Sequence, residues 1–160
     1  EIRRYQSGLL DHTFVSRHGH SYEEIKKRAE DLEEWIDRSP KWDGGTTYRG
    51  MCLSKKQLGD LIDKLISEEG AGMLGASSWS TREQTSRDFS EVGYHDEITP
   101  YELKTQKVVL VAKTQKNATS LRYLSRFKSE YEVLSSQRNR YRFLRMRERD
   151  GYVYIEVEPK

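Results

Sequence analysis

The spacing of apolar residues shifts along this chain from mainly helical to mainly extended, and that shift most constrains what it can fold into. Ile25, Ala29, Leu32 and Ile36 recur at helical intervals, opened by Ser21-Tyr22-Glu23-Glu24 as a capping box and stopped by Ser39-Pro40. Ser54-Lys55-Lys56-Gln57 opens a second helix, with Leu58, Leu61, Ile62, Leu65 and Ile66 on its inner face and Gly70 beyond its end. A strand at 47–51 lies between these helices. A turn containing Gly70, Gly72 and Gly75 leads to another strand at 78–81, and a short third helix covers about 82–89. Residues 90–106 and 113–129 read as loops around a Val- and Leu-rich buried strand at 107–112. Strands near 130–135, 140–147 and 152–158 close the chain, the last two joined by Asp150-Gly151 as a hairpin turn. Helices early and strands late argue for an α+β domain.

The 160 residues suit one domain, with a helical lead over about 1–45 and a core over about 46–160. No apolar run approaches the roughly 20 residues that a membrane-spanning helix needs. The single Cys52 rules out an internal disulfide. Twenty-eight basic and 26 acidic side chains leave a net charge of +2, too little to imply a nucleic-acid partner. The excess is concentrated late: Arg138, Arg140, Arg142, Arg145, Arg147 and Arg149, with Lys128 before them, interleave with Tyr141, Phe143 and Met146. Such a pattern fits the solvent face of a strand, or alternatively a surface that docks phosphate or a target protein. His12, His18, His20 and His95 lack the spacing and companions of a zinc framework, so no metal site is expected. The chain begins Glu1-Ile2-Arg3-Arg4 without Met or an apolar leader, and is expected to be a segment of a longer protein.

The strongest chemical signal is Glu130-Tyr131-Glu132-Val133-Leu134. In a strand both carboxylates point the same way, roughly 6.6 Å apart along the backbone, with Tyr131 and Val133 on the other side. A pair so placed can divide labour, one acid stabilising positive charge on a sugar carbon while the other handles the nucleophile. An exposed strand face with two solvated acids has the same sequence.

Two further segments precede it in order: Thr47-Tyr48-Arg49-Gly50-Met51, and Ser78-Trp79-Ser80-Thr81 leading into Arg82-Glu83-Gln84-Thr85-Ser86-Arg87-Asp88-Phe89. This ordered arginine, serine, glutamate triplet over residues 48 to 134 resembles the signature of mono-ADP-ribosyltransferases of the clostridial binary-toxin and exoenzyme type. The chain departs from the family's Ser-Thr-Ser element at its third position, Arg82. The resemblance implies two small sheets packed face to face, with NAD as substrate in the cleft between them and no metal. It also implies that Arg49 contacts pyrophosphate or ribose, that the Gly50 backbone meets the nicotinamide amide, and that Ser80 holds Glu132. Phe89 would pack on the nicotinamide ring or in the core, Arg87 would reach a phosphate, and Phe127 would meet the target protein. Glu132 would stabilise the ribosyl cation and Glu130 guide an arginine acceptor, in a monomeric toxin domain secreted or delivered into a target cell. Two alternatives remain open on the sequence: a glycohydrolase of the same fold that uses water, and a non-enzymatic binding domain whose basic strand docks acidic surfaces or nucleic acid.

Overall fold

The computed structural model of the chain describes residues 22–73, 76–92, 101–123 and 131–160. In chain order these form α1 (Tyr22–Arg38), β1 (Thr47–Leu53), α2 (Lys55–Ile66), β2 (Ala71–Gly72), β3 (Ser77–Ser80), α3 (Glu83–Val92), β4 (Gln106–Ala112), β5 (Ala118–Ser120), β6 (Glu132–Ser135), β7 (Arg140–Arg149) and β8 (Tyr152–Pro159). Helices early and strands late give the α+β class that the spacing predicts.

Local chemistry accounts for the boundaries. At the start of α2 the Ser54 hydroxyl accepts from the Gln57 backbone N–H at 3.1 Å, and the Gln57 side chain accepts from the Ser54 N–H at 2.9 Å. This reciprocal box satisfies two donors that the first turn leaves without helical partners. Gly70, just after α2, has φ +73, which a side chain would strain. At the β7–β8 hairpin Asp150 and Gly151 have φ of 56 and 83, the left-handed pair of a two-residue turn whose twist matches its strands. Ser21, the expected first cap, lies outside the described residues. α1 buries Ile25, Ala29, Leu32 and Ile36 as their spacing requires, whereas α2 buries Leu65 fully and leaves Ile66 65% exposed. Ile66 is therefore not on the inner face that its spacing suggested. Two short strands, β2 and β5, occupy segments that read as turn and loop, and at two and three residues they are too short for a visible alternation.

The strands form one hydrogen-bonded ladder in the order β2-β7-β8-β4-β1-β3-β6-β5, antiparallel except for β4 with β8. The join between β1 and β3 is a single pair, Tyr48 with Ser80, whereas β1 and β4 run together over seven pairs. The two expected sheets are thus a five-stranded and a three-stranded half of one ladder, hinged at that pair. Trp79, Ala118 and Val133 of the smaller half pack into the same core as Val108, Leu110, Ile155 and Val157 of the larger. On its other side the smaller half meets α1, where Leu134 joins Ala29, Leu32 and Ile36. Val133 and Leu134 enter different cores because successive strand residues face opposite ways. The larger half is covered on its second face by α3, packed over Gly50. Among the described residues no helix is long and apolar enough to cross a membrane.

Candidate active site

The hinge pair is also where the sequence motifs meet. Tyr48 and Ser80 are partners across β1 and β3, and Ser80 and Glu132 are partners across β3 and β6, so one line across the sheet joins all three segments. Continued past Tyr48, the β1–β3 ladder would pair Gly50 with Ser78, but the strands part there. Arg49 fills the opening. Its side chain is buried at 7% exposure, and Nη1 donates to the Ser78 carbonyl oxygen at 2.9 Å. A buried guanidinium needs hydrogen bonds to offset its lost hydration, so this bond helps hold Arg49 in the split and supplies β3 with a partner that the ladder no longer gives.

Ser78 also faces Glu132. Its hydroxyl donates to Glu132 Oε2 at 3.4 Å, and the carboxylate is half-buried at the start of β6. The resemblance assigned that role to Ser80, which pairs with Glu132 across the ladder but whose side-chain bond in the structure is a local one. α3 begins just behind Ser80, and the backbone N–H of Arg82, ahead of the first turn, donates to Ser80 Oγ at 3.0 Å. Ser80 therefore caps the approach to the helix, while Ser78, two residues earlier on the same strand face, reaches the acid. Period-two spacing was the signal that would have pointed to Ser78.

Arg82, the departure from the family's element, lies over the Tyr131 ring with Cζ 3.5 Å from the centroid, and the Thr81 N–H donates to the Tyr131 carbonyl at 2.8 Å. Both contacts clamp the residue before Glu132 against the chain leaving β3. Gly50 has a packing role that its motif did not suggest, since a Cβ there would sit 1.7 Å from the Ser86 carbonyl oxygen of α3.

Phe89 is 53% exposed on α3, so it is not a core residue. Arg87 is engaged elsewhere: Nε donates to the Tyr154 hydroxyl at 2.5 Å, Nη2 donates to Asp150 Oδ2 at 3.3 Å, and the guanidinium lies over Tyr152. Arg49, Leu110 and Ile155 are aligned across β1, β4 and β8, so Tyr154, next to Ile155, faces the other side of the sheet. The structure thus brings the backbones of the Arg49, Gly50, Ser80 and Glu132 segments together at the hinge pair, and holds Arg87 on the face of β1 that α3 covers, opposite the Arg49 side chain. Glu130 and Phe127 lie outside the described residues, as do His12, His18, His20, His95 and Lys128. Among the described residues no group of three His, Cys, Asp or Glu side chains is placed to hold a metal ion. The late arginines form a solvent face laced with ion pairs, Arg142 with Glu158, Arg145 with Glu156 and Arg149 with Glu83.

No family model matches the chain, and no curated protein matches its sequence. Solved structures do. The Vis toxin, an ADP-ribosyltransferase from Vibrio splendidus, is 22% identical with a TM-score of 0.70, covering 99% of this chain and 68% of its own. The C3 exoenzyme of Clostridium limosum is 14% identical with a TM-score of 0.58, covering 99% and 79%. The ATR domain of Salmonella SpvB is 16% identical with a TM-score of 0.55, covering 99% and 90%. The chain has the ADP-ribosyltransferase fold.

Proposed function

We propose that this chain is a mono-ADP-ribosyltransferase domain that takes ADP-ribose from NAD, passes it to an arginine side chain of a protein and releases nicotinamide. The observation that carries the reading is the convergence of Arg49, Ser78, Ser80 and Glu132 at the one pair joining the two halves of the sheet. It does so in a fold shared with Vis.

The chemistry follows from what the bond needs. Cleaving the ribose–nicotinamide bond leaves a cation-like sugar carbon and a neutral leaving group, so a fixed anion is worth more than a general acid. Glu132 supplies that anion, oriented by the Ser78 hydroxyl, and accepts a hydrogen bond from the ribose 2′-hydroxyl. Arg49 offers a planar fork suited to pyrophosphate or ribose oxygens, besides holding β3. Phe89, as an exposed ring, is suited to stack on nicotinamide. Glu130 accepts a proton as the acceptor guanidinium attacks, a group that water alone almost never deprotonates. Arginine as acceptor is further supported by a structure of Vis in complex with agmatine, itself a guanidinium compound. Phe127, shortly before Glu130, is assigned to the surface that meets the acceptor protein. The likeness to a toxin supports an effector secreted or delivered into a target cell, and the reading takes it to act as a monomer.

Incubation with labelled NAD, in the presence of agmatine or a cell lysate, tests the reading. Glu132→Gln should lower both transfer and nicotinamide release by orders of magnitude, because both pass through the ribosyl cation. Glu130→Gln should abolish labelling of agmatine and protein while slow nicotinamide release persists. Nicotinamide release with no labelled acceptor would instead make the protein a glycohydrolase. No release at all would leave a binding domain.

A further inference from the structure

One Cα pair is a slender link between the strand that carries Arg49 and the strand that carries Glu132. Elsewhere in the sheet a row of ladder bonds sets the position of each strand, as in the seven pairs between β1 and β4. Beneath the hinge, however, a chain of hydrogen bonds crosses the buried core from β1 to β6. Gln115 Nε2 donates to Thr47 Oγ1 at 3.0 Å, the Tyr141 hydroxyl donates to Gln115 Oε1 at 2.6 Å, and Tyr141 and Ser135 share a bond of 2.7 Å between their hydroxyls. Because the single phenolic proton goes to Gln115, Ser135 must be the donor to Tyr141. Asn139 Nδ2 then donates to Ser135 at 2.7 Å, and Thr47 directs its own proton towards the Ala112 carbonyl at 3.5 Å. Each hydroxyl proton is committed in one direction.

The two ends of this chain lie beside the site. Thr47 is two residues before Arg49 on the same strand face, and Ser135 is three residues after Glu132. Tyr141 is 1% exposed, its ring 5.1 Å from that of Trp79 on β3, so the phenol touches the third strand of the junction as well. Buried polar chains of this kind add little stability over an apolar core of equal volume, but they specify one arrangement.

We infer that Tyr141 is a positioning residue of the candidate site: through Gln115 and Ser135 its hydroxyl fastens the Glu132 strand to the Arg49 strand, a join that the ladder makes only once. The catalytic part of this inference rests on the ADP-ribosyl-transfer reading, and the fastening does not. Tyr141→Phe keeps the ring and its contact with Trp79 while removing the link, and Ser135→Ala removes it from the other end with a smaller change.

Hydrogen exchange and steady-state kinetics on both variants, compared well below their melting temperatures, test it. Loss of one bond's worth of coupling should speed amide exchange at residues 48, 80, 81 and 132 about five- to tenfold, with the β4 and β8 amides unchanged. The kcat for nicotinamide release should fall about tenfold while KM for NAD stays within about twofold, since alignment and not affinity is lost. The double variant should be no slower than either single one, because both cut one chain. Exchange that rises evenly across the sheet overturns the fastening. Junction-specific exchange with unchanged kcat overturns the positioning role. A parent protein that releases no nicotinamide sinks the proposed function, and the exchange data still decide the fastening.

Discussion

Gly50→Ala tests both the packing of the site and the reason a glycine follows Arg49. An added Cβ would lie 1.7 Å from the Ser86 carbonyl oxygen, 2.6 Å from the Ser86 carbonyl carbon and 3.0 Å from the Ser90 nitrogen. All three are backbone atoms of α3, so no rotamer change relieves them. Ordinary contact begins at 3.4 Å, so helix and strand must separate by about 1.7 Å along the worst contact. Overpacking of a close-packed site costs about 1–3 kcal/mol, and a clash against rigid backbone belongs near the upper end. For a domain of this size each kcal/mol lowers the melting temperature by about 2–4 °C, so a fall of about 6–12 °C is expected. Gly59→Ala is the matched control. Gly59 lies mid-α2 with nothing within 4 Å, and there the same added methyl should stabilise by about 0.5–1 kcal/mol. Differential scanning calorimetry on the two variants reads both signs at once. If Gly50→Ala melts within about 2 °C of the parent, α3 does not pack on β1 at this distance, and the packing account of Gly50 fails.

Other outcomes follow from the same contacts. Arg49→Lys keeps a charge but loses the fork, so NAD affinity measured by calorimetry should fall at least tenfold; unchanged affinity would make Arg49 purely a strand-holding residue. Burial pushes the Tyr141 phenol from the ordinary 10.0 up to about 12. The folded state therefore favours the protonated phenol, and stability is intact below about pH 10 and lost as pH rises towards 12, by about 2–3 kcal/mol in all. Urea unfolding at stepped alkaline pH should show this loss in the parent and not in Tyr141→Phe; parallel curves would refute it.

Much of the fold was legible because local rules decide it. Ser54 and Gln57 cap α2 wherever the helix lies, Asp150-Gly151 turns a hairpin from its own dihedral preferences, and the spacing of Ile25, Ala29, Leu32 and Ile36 announces a buried helix face. The order of the Arg49, Ser80 and Glu132 segments was likewise written in the chain. What remained hidden depends on neighbours far along it. Which serine reaches Glu132 was hidden: Ser78 donates to the acid, while Ser80 accepts from the Arg82 N–H just ahead of α3. Arg87 read as a second, weaker candidate for a phosphate beside Arg49, and only the fold shows that Tyr154 and Asp150, more than 60 residues away, accept from it on the other face of the sheet. Nothing in the run from 47 to 51 says that Gly50 faces a helix backbone, and Tyr141 in an arginine-rich strand gave no hint of its buried partners. Sequence periodicity encodes the face a residue takes within its own element. The element it then meets is settled by the packing of one core, to which every strand of the sheet contributes at once.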